Sequence, residues 1–177
     1  MKNEYFQSKL ATKLGPMLAI SDEETLYLLE FVERKGLERE LEKFKKDTKA
    51  IIIPGRTKPL DLIEKELDAY FNGTLKEFKT PISLLGTPFQ KCVWEELQRI
   101  PHSQTRSYGD MALSIGRPTA FRAVARANST NKLAIVVPCH RVINSNGDLG
   151  GYAGGIVRKE WLITHEKQVN FGWEKDK

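Results

Sequence analysis

No run of eighteen apolar residues occurs in this 177-residue chain, so the sequence offers no helix able to cross a bilayer. The opening stretch, residues 1–13, lacks an uninterrupted apolar core and does not read as a signal peptide. Only two cysteines are present, Cys92 and Cys139, too few for the disulfide framework of a secreted domain. The three histidines, His102, His140 and His165, stand without any paired cysteine spacing, which argues against a four-ligand zinc site. Internal repeats and low-complexity tracts are also missing. Together these absences predict a cytoplasmic protein with reduced thiols and no membrane partner.

What is present is a core and a localised charge. With 40% hydrophobic residues the chain can bury one domain, or two small ones. Its net charge is +5, and residues 101–160 carry that whole surplus, with eight arginines and lysines against three acids. Residues 1–100 hold seventeen charges of each sign, and residues 161–177 three of each. Six of the eight cations in the basic third are arginines, the side chain better suited to phosphate recognition and stacking. A basic stretch is common among proteins that never touch nucleic acid, so the charge alone leaves that partner open.

Period-two patterning over residues 3–31, broken by turn residues near Gly15 and Asp22, predicts an antiparallel meander. Leu37, Leu41 and Phe44 recur at helical spacing and predict an amphipathic helix over 33–47. Ile51–Ile53 reads as a short strand. Pro59 to Phe71 reads as a helix with Leu62, Ile63, Leu67 and Tyr70 on one face and Gly73 beyond its end. A boundary falls near 73–87, a stretch expected to hold one last strand, which gives domains of 1–80 and 81–177. Thr87-Pro88 then opens a helix running toward Pro101, and residues 102–107 read as a polar loop. Two short helices follow, the first over about 108–115 and the second from Pro118-Thr119 through Asn128. Ala112 and Gly116 sit at their junction, as a helix-turn-helix requires. The second helix carries Arg122 and Arg126 among the small residues Ala120, Ala123, Ala125 and Ala127. Such a helix can approach a nucleic-acid groove closely, although ordinary Ala-rich packing would look the same.

The segment Ala134-Ile135-Val136-Val137-Pro138-Cys139-His140-Arg141 brings an apolar run to a cysteine followed by two residues able to carry positive charge. A neighbouring cation favours the thiolate over a thiol whose free pKa is about 8.5. Because adjacent residues point apart, His140 is expected to act on the sulfur through a bridging water. Glu166 is a candidate to orient His140, though spacing alone would allow other acids. Cys92, beside Val93 and Trp94, reads as a buried and inert thiol. Five glycines in residues 144–155 suit either a flexible linker or a loop whose backbone closes on a flat ligand.

PCHRVI, followed by GGYAGG and RKEWLITHE, with SYGDMA and FRAVARAN upstream, resembles the methylated-DNA–protein-cysteine methyltransferases, the O6-alkylguanine-DNA alkyltransferases. The likeness is closest to the bacterial branch and spans about 86–166. Before residue 81 it rests on length and element order, which suit that family's ribonuclease-H-like N-terminal α/β domain; a mainly helical C-terminal domain with a winged helix-turn-helix would follow. The resemblance implies single-turnover transfer of an alkyl group from O6-alkylguanine, with O4-alkylthymine as a second candidate substrate, in double-stranded DNA to Cys139, by a monomer working from the minor groove on a flipped base, with no metal or organic cofactor. It implies a relay of Cys139, water, His140 and Glu166, with Tyr108 donating to the purine and Arg122 filling the gap in the base stack. Asn131 would tie the second helix to the active-site turn, while Arg126, Ala120 and Ala123 would face the DNA. The carbonyls of Cys139 and Val142 would accept from the guanine amino group, and Gly150, Gly151, Tyr152, Ala153 and Gly154 would wall the pocket.

Four positions depart from the pattern. Asn128-Ser129 replaces a more usual Asn-Gly or Met-bearing stretch at the pocket, and Lys132 stands where many members have proline, a change expected to loosen the entry to the apolar run. Ala153 replaces a serine of some relatives, and Phe121 sits beside Arg122 where alanine is frequent. Alkyltransferase-like proteins carry another residue at the acceptor position; cysteine here implies a true acceptor. Two other classes compete on the residues alone. A cysteine hydrolase using Cys139, His140 and Glu166 leaves the arginines unexplained, and a DNA-damage-binding protein without chemistry leaves the setting of Cys139 unexplained.

Overall fold

The meander forms as three antiparallel strands, β1 (Glu4–Leu10), β2 (Met17–Ser21) and β3 (Leu26–Phe31). A fourth strand, β4 (Ile51–Pro54), joins parallel to β1 and completes a sheet of order β3-β2-β1-β4. The computed structural model describes residues 3–175, and the chain divides into two units, Met1–Ser83 and Leu84–Lys177. Residues 1–2 and 176–177, the outermost parts of the two expected domains, lie outside the described residues. The first unit is α/β and the second mainly helical, as the sequence predicts.

In the first unit helix α1 (Leu37–Thr48) starts four residues later than its periodicity suggests. Gly36 holds φ +84°, a left-handed geometry that a helix interior does not accommodate, so residues before it form a turn. Helix α2 (Lys58–Phe71) begins at Thr57, whose hydroxyl accepts from the Leu60 amide at 3.2 Å and meets Ser21 Oγ of β2 at 2.5 Å. Its buried face is Leu60, Ile63, Leu67, Tyr70 and Phe71, packed on β1 and β2; Leu62, expected there, is half-exposed. The strand expected within 73–87 does not form. Glu66 captures the amides of Lys79 and Thr80 at 2.6 and 2.7 Å, and Pro81 has no N–H, so the segment has few donors left for a ladder. One bridge between Ile82 and Leu26 is what remains of it.

The second unit opens with α3 (Pro88–Leu97), started by a capping box between Thr87 and Gln90. A Cβ on Gly86 would lie 2.6 Å from the Trp94 ring, so this position admits no side chain. Trp94 in turn donates from Nε1 to the Ala127 carbonyl at 2.9 Å. Cys92, expected to be buried, lies on the exposed side of α3, because Val93, Trp94 and Leu97 take its inner face. The polar loop at 102–107 contains a two-residue strand, β5 (Arg106–Ser107), which pairs parallel with β6 (Val142–Ile143). Helix α4 (Tyr108–Ser114) follows directly, capped by Ser107 and Asp110. It ends in a Schellman turn, with Gly116 N–H on Leu113 O at 3.0 Å and Arg117 N–H on Ala112 O at 2.9 Å, and Gly116 at φ +73°. Residues 118–120 complete the turn, so α5 (Phe121–Ser129) begins three residues later than expected. Helix α6 (Ile156–Lys175) closes the described chain. Among the described residues no helix is long and apolar enough to cross a membrane.

Candidate active site

Between α5 and β6 the apolar run forms no strand. Asn131 folds it into a compact turn: its amide nitrogen donates to Val137 O at 2.8 Å, and its oxygen accepts from Leu133 N at 3.0 Å. Ile135, buried within that turn, holds φ +72°, a conformation that a β-branched residue adopts only under strain. At this entry the Lys132 ammonium donates to the Leu85 carbonyl at 2.9 Å. Pro138 then starts a single 3-10 turn, Cys139–Arg141, all three residues of which are buried.

That turn aims two side chains at one carboxylate on α6. His140 Nε2 lies 2.7 Å from Glu166 Oε1. Arg141 grips the same group with two nitrogens, Nε to Oε2 and Nη2 to Oε1, each at 2.9 Å, and its third nitrogen reaches Ile100 O at 2.7 Å. The Ser103 amide adds a fourth bond to Glu166 at 3.2 Å. Burial by itself would raise the Glu166 carboxyl, but His140 and Arg141 overcome it and hold the group well below the usual carboxylate range. Burial lowers the pKa of His140, with Glu166 opposing only in part, so the ring is neutral at neutral pH. The tautomer that fits this network carries its proton on Nε2. The basic Nδ1 is buried and receives no hydrogen bond from the described residues.

Around Cys139, only 6% exposed, three further groups gather. Tyr108, the first residue of α4, has its phenol pKa raised by burial and by Cys139, with a hydrogen bond from Asn128 acting the other way. Asn128 also donates to the Cys139 carbonyl at 3.3 Å, so α5 touches the turn directly, while Asn131, just past α5, holds the stretch before the turn through Val137 O. The same carbonyl accepts from the Val142 amide. Lys159 is fully buried and donates to Val142 O at 2.6 Å and Gly151 O at 3.1 Å. Val142 O, like Cys139 O, therefore already serves a protein donor. Burial lowers the Lys159 pKa to about 8, with Cys139 opposing the shift.

The glycine-rich segment is pinned rather than a loose linker. Gly150 adopts φ +71°, and a Cβ there would sit 3.1 Å from Asn144 Oδ1 and 3.5 Å from the Tyr108 ring. Lys159 holds Gly151, and Arg158 donates to Gly154 O at 3.0 Å. Tyr152 and Ala153 are half-buried and Gly154 is buried. The remaining expected residues lie elsewhere: Arg122, Ala123 and Arg126 are exposed on α5, and Ala120, just before that helix, is half-buried.

Sequence reasoning passed over Arg141 as a partner of Glu166, Asn128 as a contact of Cys139, and Lys159 beyond its charge. A signal for the last existed. Lys159, Leu162, Ile163 and Glu166 recur at i, i+3, i+4 and i+7, which places a cation and an acid in the buried stripe of α6. Replacing Lys159 by Met keeps the stem and removes the ammonium. A folded pKa of about 8 against an ordinary 10.5 means that the unfolded chain binds the extra proton between those values. The parent therefore gains stability relative to Lys159→Met as pH rises from 8 to 10.5, on the order of 3 kcal/mol. Denaturant midpoints of both proteins across that range check the slope; parallel curves would refute the buried-ammonium assignment.

Two family models match this chain: the 6-O-methylguanine DNA methyltransferase ribonuclease-like domain over residues 4–84, and the DNA binding domain of the same family over residues 88–168. The methylated-DNA–protein-cysteine methyltransferase of Salmonella typhimurium is 43% identical over 162 residues, covering 90% of this chain and 94% of that protein. The protein of the same name from Methanosarcina acetivorans is 42% identical over 157 residues, covering 86% and 92%. Among solved structures, Mycobacterium tuberculosis OGT in complex with DNA matches with a TM-score of 0.80 at 38% identity, over 94% of each chain. With a ribonuclease-like α/β domain followed by a helical DNA-binding domain, the chain belongs to the 6-O-methylguanine DNA methyltransferase family.

Proposed function

We infer that this protein repairs DNA by moving an alkyl group from the O6 atom of guanine onto Cys139, once per molecule. The observation that carries the reading is the setting of that thiol. It is buried beside Tyr108, in electrostatic reach of the Lys159 ammonium, and next to a neutral histidine held by an ionised carboxylate. His140 Nδ1 takes the thiol proton through one water, and Glu166 stabilises the imidazolium that results. The thiolate attacks the alkyl carbon; a C–S bond forms as the C–O6 bond breaks, and its electron pair stays on the guanine. The Tyr108 phenol donates toward the ring as this charge develops, which lowers the barrier to departure. A proton returned to the base leaves ordinary guanine. The thioether that remains has no route back, so each molecule acts once.

A base inside a duplex cannot reach a buried sulfur, so the alkylated nucleotide leaves the stack. Arg122 enters the gap from the minor groove, Arg126 meets a phosphate, and the small side chains of Ala120 and Ala123 let α5 approach closely. Gly150 to Gly154 close over the extruded base, and the remaining lone pair of Val142 O accepts from its amino group. The protein does this as a monomer in the cytoplasm.

Intact-mass measurement after incubation with a duplex carrying O6-methylguanine tests the reading. The expected result is the mass of one methyl group on the protein, mapped to Cys139, with one guanine restored per molecule. Cys92 serves as an internal control, since it is the exposed thiol. Methyl on Cys92, or methyl release beyond one equivalent, would overturn the assignment.

A further inference from the structure

Residues 111–147 contain no aspartate or glutamate, and within that acid-free stretch a phenylalanine is about half exposed. The buried residues of α5 are Val124, Ala127 and Asn128. Three steps before Val124 and seven before Asn128 is Phe121, which helical spacing would place on the same inner face. It is instead 47% exposed. Val124 and Ala127 fill the core beneath α5, and about half of the Phe121 surface is left to solvent. Its surroundings are cationic: the Arg122 guanidinium lies over the ring, 5.9 Å from its centroid, and Arg126 is exposed one turn further along the helix. The helix starts here too, and Ala120 offers no side-chain oxygen to the first amides.

A flat apolar ring framed by arginines and uncapped amides suits one occupant, a polyanion that also presents stackable faces. We propose that Phe121 is a second wedge, which enters the minor groove beside Arg122 and leans its ring on the base step next to the one that Arg122 fills. This rests on the repair reading given above and deepens it. Two jobs follow from one side chain. The ring covers a base face left bare when the alkylated nucleotide leaves, and its π-face holds the guanidinium in the orientation that fills the gap. Phe121 is thereby a specificity-determining contact for duplex DNA, with no part in the chemistry at sulfur.

The test compares the parent with Phe121→Ala and Phe121→Leu on a duplex carrying O6-methylguanine, with 2-aminopurine placed on either side of the lesion. Free O6-benzylguanine serves as a substrate that needs no flipping. Phe121→Ala is expected to slow the duplex reaction about five- to fiftyfold more than the reaction with the free base. It is also expected to remove the 2-aminopurine fluorescence rise at one neighbouring step. Leucine, an apolar wedge without a π-face, is expected to fall between the parent and Phe121→Ala on both signals. The slope of log affinity against log salt stays that of the parent in either variant, because no phosphate contact is lost. Equal slowing on both substrates would place Phe121 in the fold of the pocket and overturn the proposal, as would a 2-aminopurine signal that Phe121→Ala leaves intact. If the parent transfers methyl to Cys139 and Phe121→Ala matches it on duplex, the wedge alone fails; if the parent transfers nothing, both readings fall together.

Discussion

Cys139→Ser is expected to accept no methyl from an O6-methylguanine duplex, while its affinity for that duplex stays within about twofold of the parent. Serine keeps the shape of the side chain and places a hydroxyl in a site already lined by polar groups, so the fold tolerates it. The hydroxyl does not ionise in the range where His140 serves as a base, and oxygen is a harder nucleophile at an alkyl carbon than sulfur. The rate falls by about a thousandfold or more, below what mass measurement detects. Binding survives because the exposed arginines of α5, Arg122 and Arg126, lie on the helix face away from Asn128 and the Cys139 turn. The variant also separates the chemical classes left open by the residues alone. A hydrolase parent would turn over an ester or amide, and that turnover would vanish with the sulfur. A binder without chemistry would show the same mass before and after incubation, with or without Cys139. The retained Cys92 sharpens the comparison: if an exposed thiol sufficed, the variant would still gain a methyl there.

The fold was legible wherever one local rule decided it. Thr87-Pro88 specifies a helix start through a cap and a fixed φ, and Gly116 specifies the turn between α4 and α5 through its left-handed geometry. Local pattern and structure diverge where distant groups compete for the same backbone. The strand expected near residue 80 is lost because Glu66, thirteen and fourteen residues upstream, takes the amides it needed. The loop at 102–107 gains β5 because Val142 and Ile143 offer it a partner that no local pattern reveals. In the candidate site, the pairing of His140 with Glu166 could be guessed from residue types. That Arg141 would share the same carboxylate could not, since side-chain directions in a 3-10 turn are not encoded by spacing alone. Nor did helical period foresee Phe121 in solvent; period names a face, and whether anything lies opposite its first turn is a property of the assembled unit.

Glu166→Gln is expected to destabilise the protein by about 3–5 kcal/mol at pH 7 and to slow methyl transfer about a hundredfold in the fraction that stays folded. In the parent, four donors converge on the carboxylate, from His140, Ser103 and two nitrogens of Arg141. An amide has one accepting oxygen and a donor of its own, so at least one of those partners is left facing N–H groups. Arg141, nearly fully buried, is then a guanidinium without its counter-charge. The pH dependence carries a definite sign. The folded carboxyl lies below its ordinary 4.5, so its stabilisation is complete above that value and is lost as pH falls through the folded value. The gap between parent and variant should therefore be constant at neutral pH and narrow only in acid below about 4.5; urea midpoints along a pH series measure it. A gap that closes already near pH 6 would mean that Glu166 is not the ionised centre of the cluster. Stability and chemistry can then be told apart with a second change. In Glu166→Gln combined with Arg141→Met the unpaired buried cation is gone, so much of the lost stability returns. The rate does not return, because His140 still lacks the carboxylate that fixes its tautomer and balances its charge. Recovery of both together would reduce Glu166 to a structural anchor for Arg141 and leave His140 without an orienting partner.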